Sequence, residues 1–231
     1  MSIVNAAQIT IFAGHYGSGK TTAAVNYAIS LAEAHARGRK RNRVALCDMD
    51  IVNPYFRSSD FKCVLAAAGV ELISSAYANS NTEAVWAPVE ILRAFDDPAL
   101  TTVIDLGGDD CGALAIGRYA EQFQGRADAA LWMVVNPYRP LTRDTDSLAQ
   151  IRREIEAAGK LRFTGLVNNA NLGVETTAET IEASFPLMRN LSEALELPIV
   201  MTTVRRGITL EVPEGHGEIF EIECWGNRFG V

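Results

Sequence analysis

Cysteine is scarce in this chain, and its four copies are scattered at Cys47, Cys63, Cys111 and Cys224. No C-x-x-C pair occurs, which excludes the common zinc patterns and leaves no disulfide framework. No apolar run reaches the roughly 18 residues of a membrane-spanning helix. The N-terminus lacks basic residues ahead of an apolar core, so we expect no secretory signal. Together these absences predict a protein of the reducing cytoplasm.

An excess of positive charge is also lacking. The 231 residues carry 21 Lys and Arg against 28 Asp and Glu, a net charge of −7, which argues against nucleic-acid binding by the surface as a whole. One basic segment, Arg37 to Arg43, is either a solvated loop or a contact for DNA or anionic lipid. The length and the 48% hydrophobic content suit one globular domain spanning residues 1–231.

Apolar runs typical of strands alternate with helical patterns along the whole chain. The predicted strands are residues 9–13, 44–47, 70–74, 102–104, 129–135, 163–167 and 199–203, with 219–224 as an edge strand. Helical spacing of apolar residues marks 22–36, 148–158 and 177–195. This alternation predicts an α/β three-layer sandwich, in which helices flank both faces of a mostly parallel sheet. In such sheets ligands bind at the carboxyl ends of the strands.

The stretch after the first predicted strand fits G-x-x-x-x-G-K-[ST], the phosphate-binding P-loop, between a strand and a helix as the motif requires. Its glycines let successive N–H groups point at one phosphate, and the new helix adds its positive end. We expect Lys20 to be a catalytic residue that neutralises the charge of the β- and γ-phosphates. We expect Thr21 to ligate Mg²⁺. The predicted nucleotide-binding residues are Gly14, His15, Tyr16, Gly17, Ser18, Gly19, Lys20, Thr21 and Thr22.

Carboxylates follow the second and fourth predicted strands. Asp48 and Asp50 can both reach Mg²⁺ and an attacking water, with Asp50 the better candidate for orienting the water and Asp48 for holding metal-bound water. Alternatively, both cap the next helix. Four apolar-type positions ending in Asp105 match the Walker B pattern, in which this carboxylate contacts Mg²⁺ through water. Gly107 and Gly108 then supply a hinge whose N–H groups can sense the γ-phosphate.

The loops after the fifth and sixth predicted strands are rich in amides and prolines. Asn168 and Asn169 follow the sixth strand, and an amide can read the N6/N7 edge of adenine because it both donates and accepts. An Asn-rich turn is the alternative. The N-K-x-D guanine signature is absent, so ATP is favoured over GTP. Residues 136–142 contain two prolines and predict a shaped surface for nucleotide or for a partner.

Residues 14–22, 48–50, 104–108 and 167–168, in this order, resemble the motifs of the MinD/ParA/nitrogenase-iron-protein group of P-loop ATPases. The group is also described as the CobQ/CobB/MinD/ParA nucleotide-binding domain, and the string 50–57 is similar to a little-characterised bacterial branch of it. The resemblance covers nearly the whole chain and is most specific at the P-loop. It implies Mg²⁺-dependent ATP hydrolysis on a homodimerising scaffold, with Asp50 as the catalytic carboxylate.

Two positions depart from the patterns of that group. Its members typically carry a second lysine one residue after the first P-loop glycine, reaching the partner's nucleotide across the dimer. His15 stands there in this chain, and a neutral imidazole does not supply the fixed charge, which puts ATP-dependent dimerisation in doubt. Cys111 arrives one residue earlier than the cluster-binding cysteine of nitrogenase iron proteins, so we expect it to pack beneath the loop.

The leading hypothesis is a cytoplasmic Mg²⁺-dependent ATPase that acts as a nucleotide switch for an unidentified protein partner. The alternative is an ATP-using biosynthetic enzyme, such as a dethiobiotin-synthetase-like ligase or a small-molecule kinase. A third hypothesis is an adaptor that binds ATP without hydrolysing it. The sequence indicates no partner, cargo or pathway that would separate them.

Overall fold

The computed structural model describes residues 7–38, 42–49, 61–74, 89–108 and 110–224, the side chains of 110 and 111 excepted. Eight strands form one sheet in the order β3-β2-β4-β1-β5-β6-β7-β8, and every pairing between them is parallel. The predicted α/β sheet is confirmed, with the last strand at an edge. The strands are β1 (Ile9–Ala13), β2 (Arg43–Met49), β3 (Val70–Ser74), β4 (Leu100–Leu106), β5 (Ala129–Val135), β6 (Gly165–Asn168), β7 (Ile199–Arg205) and β8 (Glu218–Ile222).

Helices connect the strands on both sides of the sheet. They are α1 (Lys20–Arg37), α2 (Lys62–Ala67), α3 (Arg93–Asp96), α4 (Asp110–Gly117), α5 (Ala120–Phe123), α6 (Thr145–Gly159), α7 (Ala178–Glu182) and α8 (Phe185–Leu195). Short 3₁₀ turns occupy Val89–Leu92, Pro140–Thr142 and Gly173–Glu175. Among the helices in the described part of the chain, none has the length and apolar character needed to cross a membrane.

The helical pattern of residues 177–195 is interrupted in the structure. Pro186 lies in the first turn of α8, where it has no N–H to donate to a preceding turn, and its ring would clash inside a continuous helix. The hydroxyl of Ser184 donates to the Ile181 carbonyl at 2.5 Å and closes the end of α7. The chain therefore forms two short helices where the apolar spacing predicts one.

The buried side chains form a layer on each face of the sheet. Along β1, Ile9, Ile11 and Ala13 pack into one cluster, which also holds buried residues of α3, α4, α6 and α8. Phe12 points to the opposite face and packs in the cluster formed with α1 and α2. Because both faces are covered, the central strands read as continuous apolar runs rather than alternating ones. This explains why composition and spacing predict them well.

Candidate functional site

The loop between β1 and α1 depends on glycine at three positions. Gly14, Gly17 and Gly19 have φ angles of 145°, 75° and 86°, a region that side chains of L-residues rarely adopt. A Cβ atom on Gly14 would lie 2.6 Å from the carbonyl oxygen of Val134, and one on Gly19 would lie 2.2 Å from Nδ2 of Asn169. Only glycine fits this curled loop, which is the conformation that the P-loop motif predicts.

The start of α1 is open toward this loop. In the described structure no side chain caps the helix, and the first intrahelical bond runs from Ala23 N to Gly19 O at 3.0 Å. The hydroxyl of Ser18 is fully buried and has no hydrogen-bond partner among the described residues. The uncapped N–H groups at the positive end of the helix and the neighbouring Ser18 hydroxyl can all donate hydrogen bonds to an anion.

Lys20 brings a buried cation to the same place. Its side chain is only 5% exposed, and Nζ donates to the carbonyl of His15, 3.2 Å away. A Cβ atom on Gly108 would lie 2.7 Å from this Nζ and 2.8 Å from the backbone N of Tyr16. The loop, the lysine and the segment after β4 therefore touch, and a side chain at Gly108 would displace the ammonium group.

Two predicted metal ligands lie side by side on neighbouring strands. Asp48 pairs in register with Asp105 across β2 and β4, and both residues are buried. Side chains two apart along a strand share a face. Asp48 therefore shares the face of Leu46, and Asp105 that of Val103, which both pack in the cluster of α1. Both carboxylates point to the side of the sheet that carries α1 and Lys20.

The carboxylates give this edge of the sheet a negative charge. Burial raises the pKa of the Cys47 thiol far above its ordinary value, and the charges of Asp48, Glu90 and Asp105 raise it further. Mg²⁺ in proteins is usually held by one or two carboxylates together with water and phosphate oxygens. Thr21 supplies a hydroxyl in the first turn of α1. The donors are oxygen atoms, and the described residues contain no cluster of three or more His, Cys, Asp or Glu. These oxygen donors therefore fit a Mg²⁺ ion shared with a phosphate better than they fit a zinc ion.

Asp50, which the sequence predicts to align water, lies outside the described residues, as does the whole 50–57 string. The side chain of Cys111 also lies outside the described part. Their roles in catalysis and in packing stay predictions.

Asn169 holds the P-loop in place. Its Nδ2 donates to the carbonyl of Ser18 at 2.6 Å, and its Oδ1 accepts from the hydroxyl of Thr203 at 2.5 Å. The residue is fully buried. A chain of hydrogen bonds therefore runs from β7 through the end of β6 to the loop, and it fixes the loop position before any ligand binds.

Asn168 makes its side-chain hydrogen bonds away from the P-loop. Its Nδ2 donates to the hydroxyl of Ser184 at 2.8 Å, while its Oδ1 accepts from the N–H of Ala170 at 3.3 Å. It too is fully buried and ties β6 to the start of α8. Both asparagines thus bond to the protein through nitrogen and oxygen, and the reading of a base by either stays a prediction.

We expect the Asn169→Ala variant to lose about 1–3 kcal/mol of unfolding free energy, because it removes the side-chain donor to the buried Ser18 carbonyl and the nearer of the two acceptors of the Thr203 hydroxyl. Urea denaturation followed by circular dichroism measures the loss. Asn190→Ala, at an exposed position in α8, is the matched control and should change stability by less than about 0.5 kcal/mol. Equal stability of the two variants would contradict the role given to Asn169.

Two residues beside the P-loop are not singled out by the sequence. Nε of Arg139, after β5, donates to the carbonyl of Gly17 at 2.9 Å. Nδ2 of Asn171, after β6, lies 3.9 Å from a Cβ position on Gly19. Both follow strands on the β5 side of β1. The sequence predicts that these two loops lie at the ligand-binding edge of the sheet, and the structure shows which of their side chains lie beside the P-loop.

No protein-family model matches the chain, and comparison with curated protein sequences finds no significant match. Solved structures do match. The cell division protein FtsY of Thermotoga maritima is 18% identical with a TM-score of 0.54, over 85% of this chain and 61% of that one. This chain thus spans less than two thirds of the length of that protein.

Two further FtsY structures match at lower similarity. The signal recognition particle receptor FtsY of Elizabethkingia anophelis, in complex with GDP, is 15% identical with a TM-score of 0.35, over 87% of this chain and 50% of that one. FtsY of Mycoplasma mycoides is 16% identical with a TM-score of 0.33, over 84% and 51%. TM-scores this low carry no weight, so the fold is identified from the Thermotoga structure, the parallel sheet and the glycine loop. The chain has the P-loop NTPase fold.

Proposed function

We propose that this protein binds ATP together with Mg²⁺ in the β1–α1 loop and hydrolyses it, acting as a nucleotide switch. The observation that supports this proposal is the meeting of three features in one place. The uncapped start of α1 and the ammonium group of Lys20 would face a bound phosphate, and the registered pair of Asp48 and Asp105 would face a bound cation.

The loop would bind the phosphates largely through its backbone. Lys20 would exchange its bond to the neutral His15 carbonyl for one to a phosphate oxygen, since charge-assisted hydrogen bonds are roughly twice as strong as neutral ones. The buried hydroxyl of Ser18 gains the partner that it lacks among the described residues. Thr21, Asp48 and Asp105 would hold Mg²⁺, which neutralises phosphate charge when bound.

Hydrolysis by such a site relies on positioning and electrostatic stabilisation. Asp50, two residues beyond Asp48, is the carboxylate that we assign to aligning the attacking water. Gly108 lies against both Lys20 and the loop, and this supports a role for the segment after β4 in responding to the γ-phosphate. A protein partner would bind differently when that segment changes conformation on hydrolysis.

ATP is proposed as the nucleotide because residues 169–173 after β6 are Asn-Ala-Asn-Leu-Gly and contain no carboxylate to accept from the amino and imino groups of guanine. Membership of the MinD/ParA-like group, the pairing of two copies and a cytoplasmic location belong to the same proposal. His15 is partly exposed, and its Nδ1 lies 3.0 Å from the carbonyl of Tyr16, so it does not reproduce an extended lysine.

We expect Mg²⁺ to strengthen ATP binding by the wild-type protein about tenfold, which corresponds to about 1.4 kcal/mol. Asp105→Asn should lose most of this enhancement because it removes the charge of one metal ligand. Titration calorimetry with ATP, in Mg²⁺ and in EDTA, measures the effect, and Asp146→Asn, at an exposed position in α6, is the control. The same enhancement by Mg²⁺ in Asp105→Asn as in wild type would contradict the metal assignment.

A further inference from the structure

β8 is the last strand of the sheet, and among the described strands it pairs with β7 alone. Arg205 stands opposite Ile222 in this parallel pairing, and the carbonyl of Ile222 accepts from the N–H of Arg206 at 3.0 Å. Ile222 therefore turns its N–H and C=O groups toward β7. Alternate residues of a strand turn these groups to opposite edges, so those of Ile219 and Glu221 point away from β7, where a further strand can pair with them.

The side chains along this open edge are exposed to solvent. Ile219 keeps 49% of its surface exposed, and Glu218 and Glu221 are exposed beside it. Ile219 and Glu221 are two positions apart and so share one face of the sheet, whereas Glu218 lies on the other face. A strand that pairs with this edge therefore meets an apolar side chain between two carboxylates.

The chain around β8 is acidic. Residues 207–223 contain five Glu and no Lys or Arg. Within the described part of the chain, Glu218 and Glu221 form no ion pair. At the opposite edge of the sheet, by contrast, Glu71 of β3 pairs with Arg93 at 2.6 Å. The carboxylates of β8 are thus available to a positively charged partner.

Contacts with α1 hold β8 in place. The rings of Phe220 and Tyr27 meet edge to face, with their centroids 6.1 Å apart. The N–H of Glu223 donates to Oδ1 of Asn26 at 2.8 Å, and the Glu223 carbonyl accepts from Nδ2 of the same residue at 3.0 Å. The middle of the strand and the residue after its end are therefore both fixed. A preformed edge loses little conformational freedom on binding, and this favours association.

We propose that the open edge of β8 binds an extended, basic segment of a protein partner, which adds a strand to the sheet. Main-chain hydrogen bonds with Ile219 and Glu221 align this segment, and Lys or Arg side chains opposite Glu218 and Glu221 make it specific. A second copy of β8 is a poor occupant, because the same carboxylates would stand on both sides of the new pairing and like charges destabilise it. Three strands separate β8 from β1, so binding at this edge does not depend on the proposed nucleotide site.

A short synthetic peptide of repeated Lys-Val-Thr is the probe, since it places a lysine at every third position, which is the spacing of Glu218 and Glu221. We expect the full chain to bind the labelled peptide with a dissociation constant below about 1 mM, measured by fluorescence anisotropy. Added salt should weaken the binding because exposed ion pairs are screened. A Glu-Val-Thr peptide should bind at least about tenfold more weakly. No binding of the lysine peptide, or equal binding of both peptides, would overturn the proposal.

Ile219→Pro tests the main-chain pairing. Proline at this position removes an N–H that points away from β7, so the bonds between β7 and β8 are kept. We expect about tenfold weaker binding of the lysine peptide, whereas Ile219→Ala, which keeps the N–H, should weaken it about threefold. Urea denaturation checks that both variants fold. Equal affinities of the two folded variants would contradict strand addition, and wild-type self-association that Ile219→Pro abolishes would assign the edge to a second copy instead.

Glu221→Lys tests the charge. It should weaken binding of the lysine peptide about tenfold and strengthen binding of the glutamate peptide, because an attraction across the new pairing becomes a repulsion and the reverse. A loss of structure cannot produce the gain for the glutamate peptide. Glu193→Lys reverses an exposed carboxylate in α8 and should leave both affinities within about twofold. Identical peptide affinities of Glu221→Lys and Glu193→Lys would overturn the proposal.

Discussion

Lys20→Ala is expected to weaken Mg²⁺-ATP binding about 100-fold, which corresponds to about 2.7 kcal/mol. The side chain is buried in the loop, where a bond between an ammonium group and a phosphate is screened little by water. Its Nζ already lies against the loop and Gly108, so little reorganisation is needed to reach a phosphate. Titration calorimetry of both proteins with ATP in Mg²⁺ gives the ratio of dissociation constants.

Lys62→Ala is the matched control for that measurement. Lys62 is exposed in the first turn of α2, so its removal changes the net charge equally without touching the loop. We expect ATP affinity within about twofold of wild type, since exposed charges are largely screened by salt. If Lys20→Ala bound ATP as tightly as Lys62→Ala, the assignment of the phosphate site would be wrong.

Asp50→Ala is expected to lower the ATP turnover number by about 10²–10³, because a group that positions or activates the reacting water contributes about 10²–10⁴. ATP affinity should stay within about threefold of wild type, as for a residue whose interaction is made mainly in the transition state. Acid-quenched single-turnover reactions measure the total ADP formed, bound and free, and so separate this effect from slow product release.

Asp146→Ala, which removes an exposed carboxylate in α6, should leave turnover unchanged. Turnover by Asp50→Ala equal to that of wild type would remove the catalytic assignment and leave the binding site intact. A loss of ATP affinity as large as the loss of turnover would instead make Asp50 a binding residue.

The P-loop and its flanking elements are predictable from the sequence because the motif is local. Gly14, Gly17 and Gly19 adopt positive φ angles, as a loop built on this motif requires. Asp48 and Asp105 are separated by 57 positions, yet they pair in register. Their common place at strand ends can be anticipated from the alternating pattern, because parallel strands gather their carboxyl ends at one edge of the sheet.

The partners of the amide side chains cannot be read from the sequence. Asn169 bonds to Ser18, 151 positions away, and to Thr203, 34 positions away. A sequence shows that an amide follows a strand, and it does not show whether that amide points to a ligand or to the protein. The sequence marks the loops that carry Arg139 and Asn171, but it does not show that these two side chains lie beside the P-loop.

The break between α7 and α8 illustrates a smaller limit. Apolar spacing continues from Ile181 to Leu195, and these residues are buried in the structure, so the periodic signal is genuine. Pro186 and the bond of the Ser184 hydroxyl end the first helix and begin a second. Periodicity therefore predicts the buried face correctly and misses the interruption.

A structure of the protein crystallised with Mg²⁺ and a non-hydrolysable ATP analogue tests the central claim most directly. The account predicts the β- and γ-phosphates on the backbone N–H groups of the β1–α1 loop, with Nζ of Lys20 moved from the His15 carbonyl to a phosphate oxygen. It also predicts the metal beside Thr21, Asp48 and Asp105. A nucleotide bound elsewhere, with Lys20 still on that carbonyl at a saturating concentration of the analogue, would contradict the account.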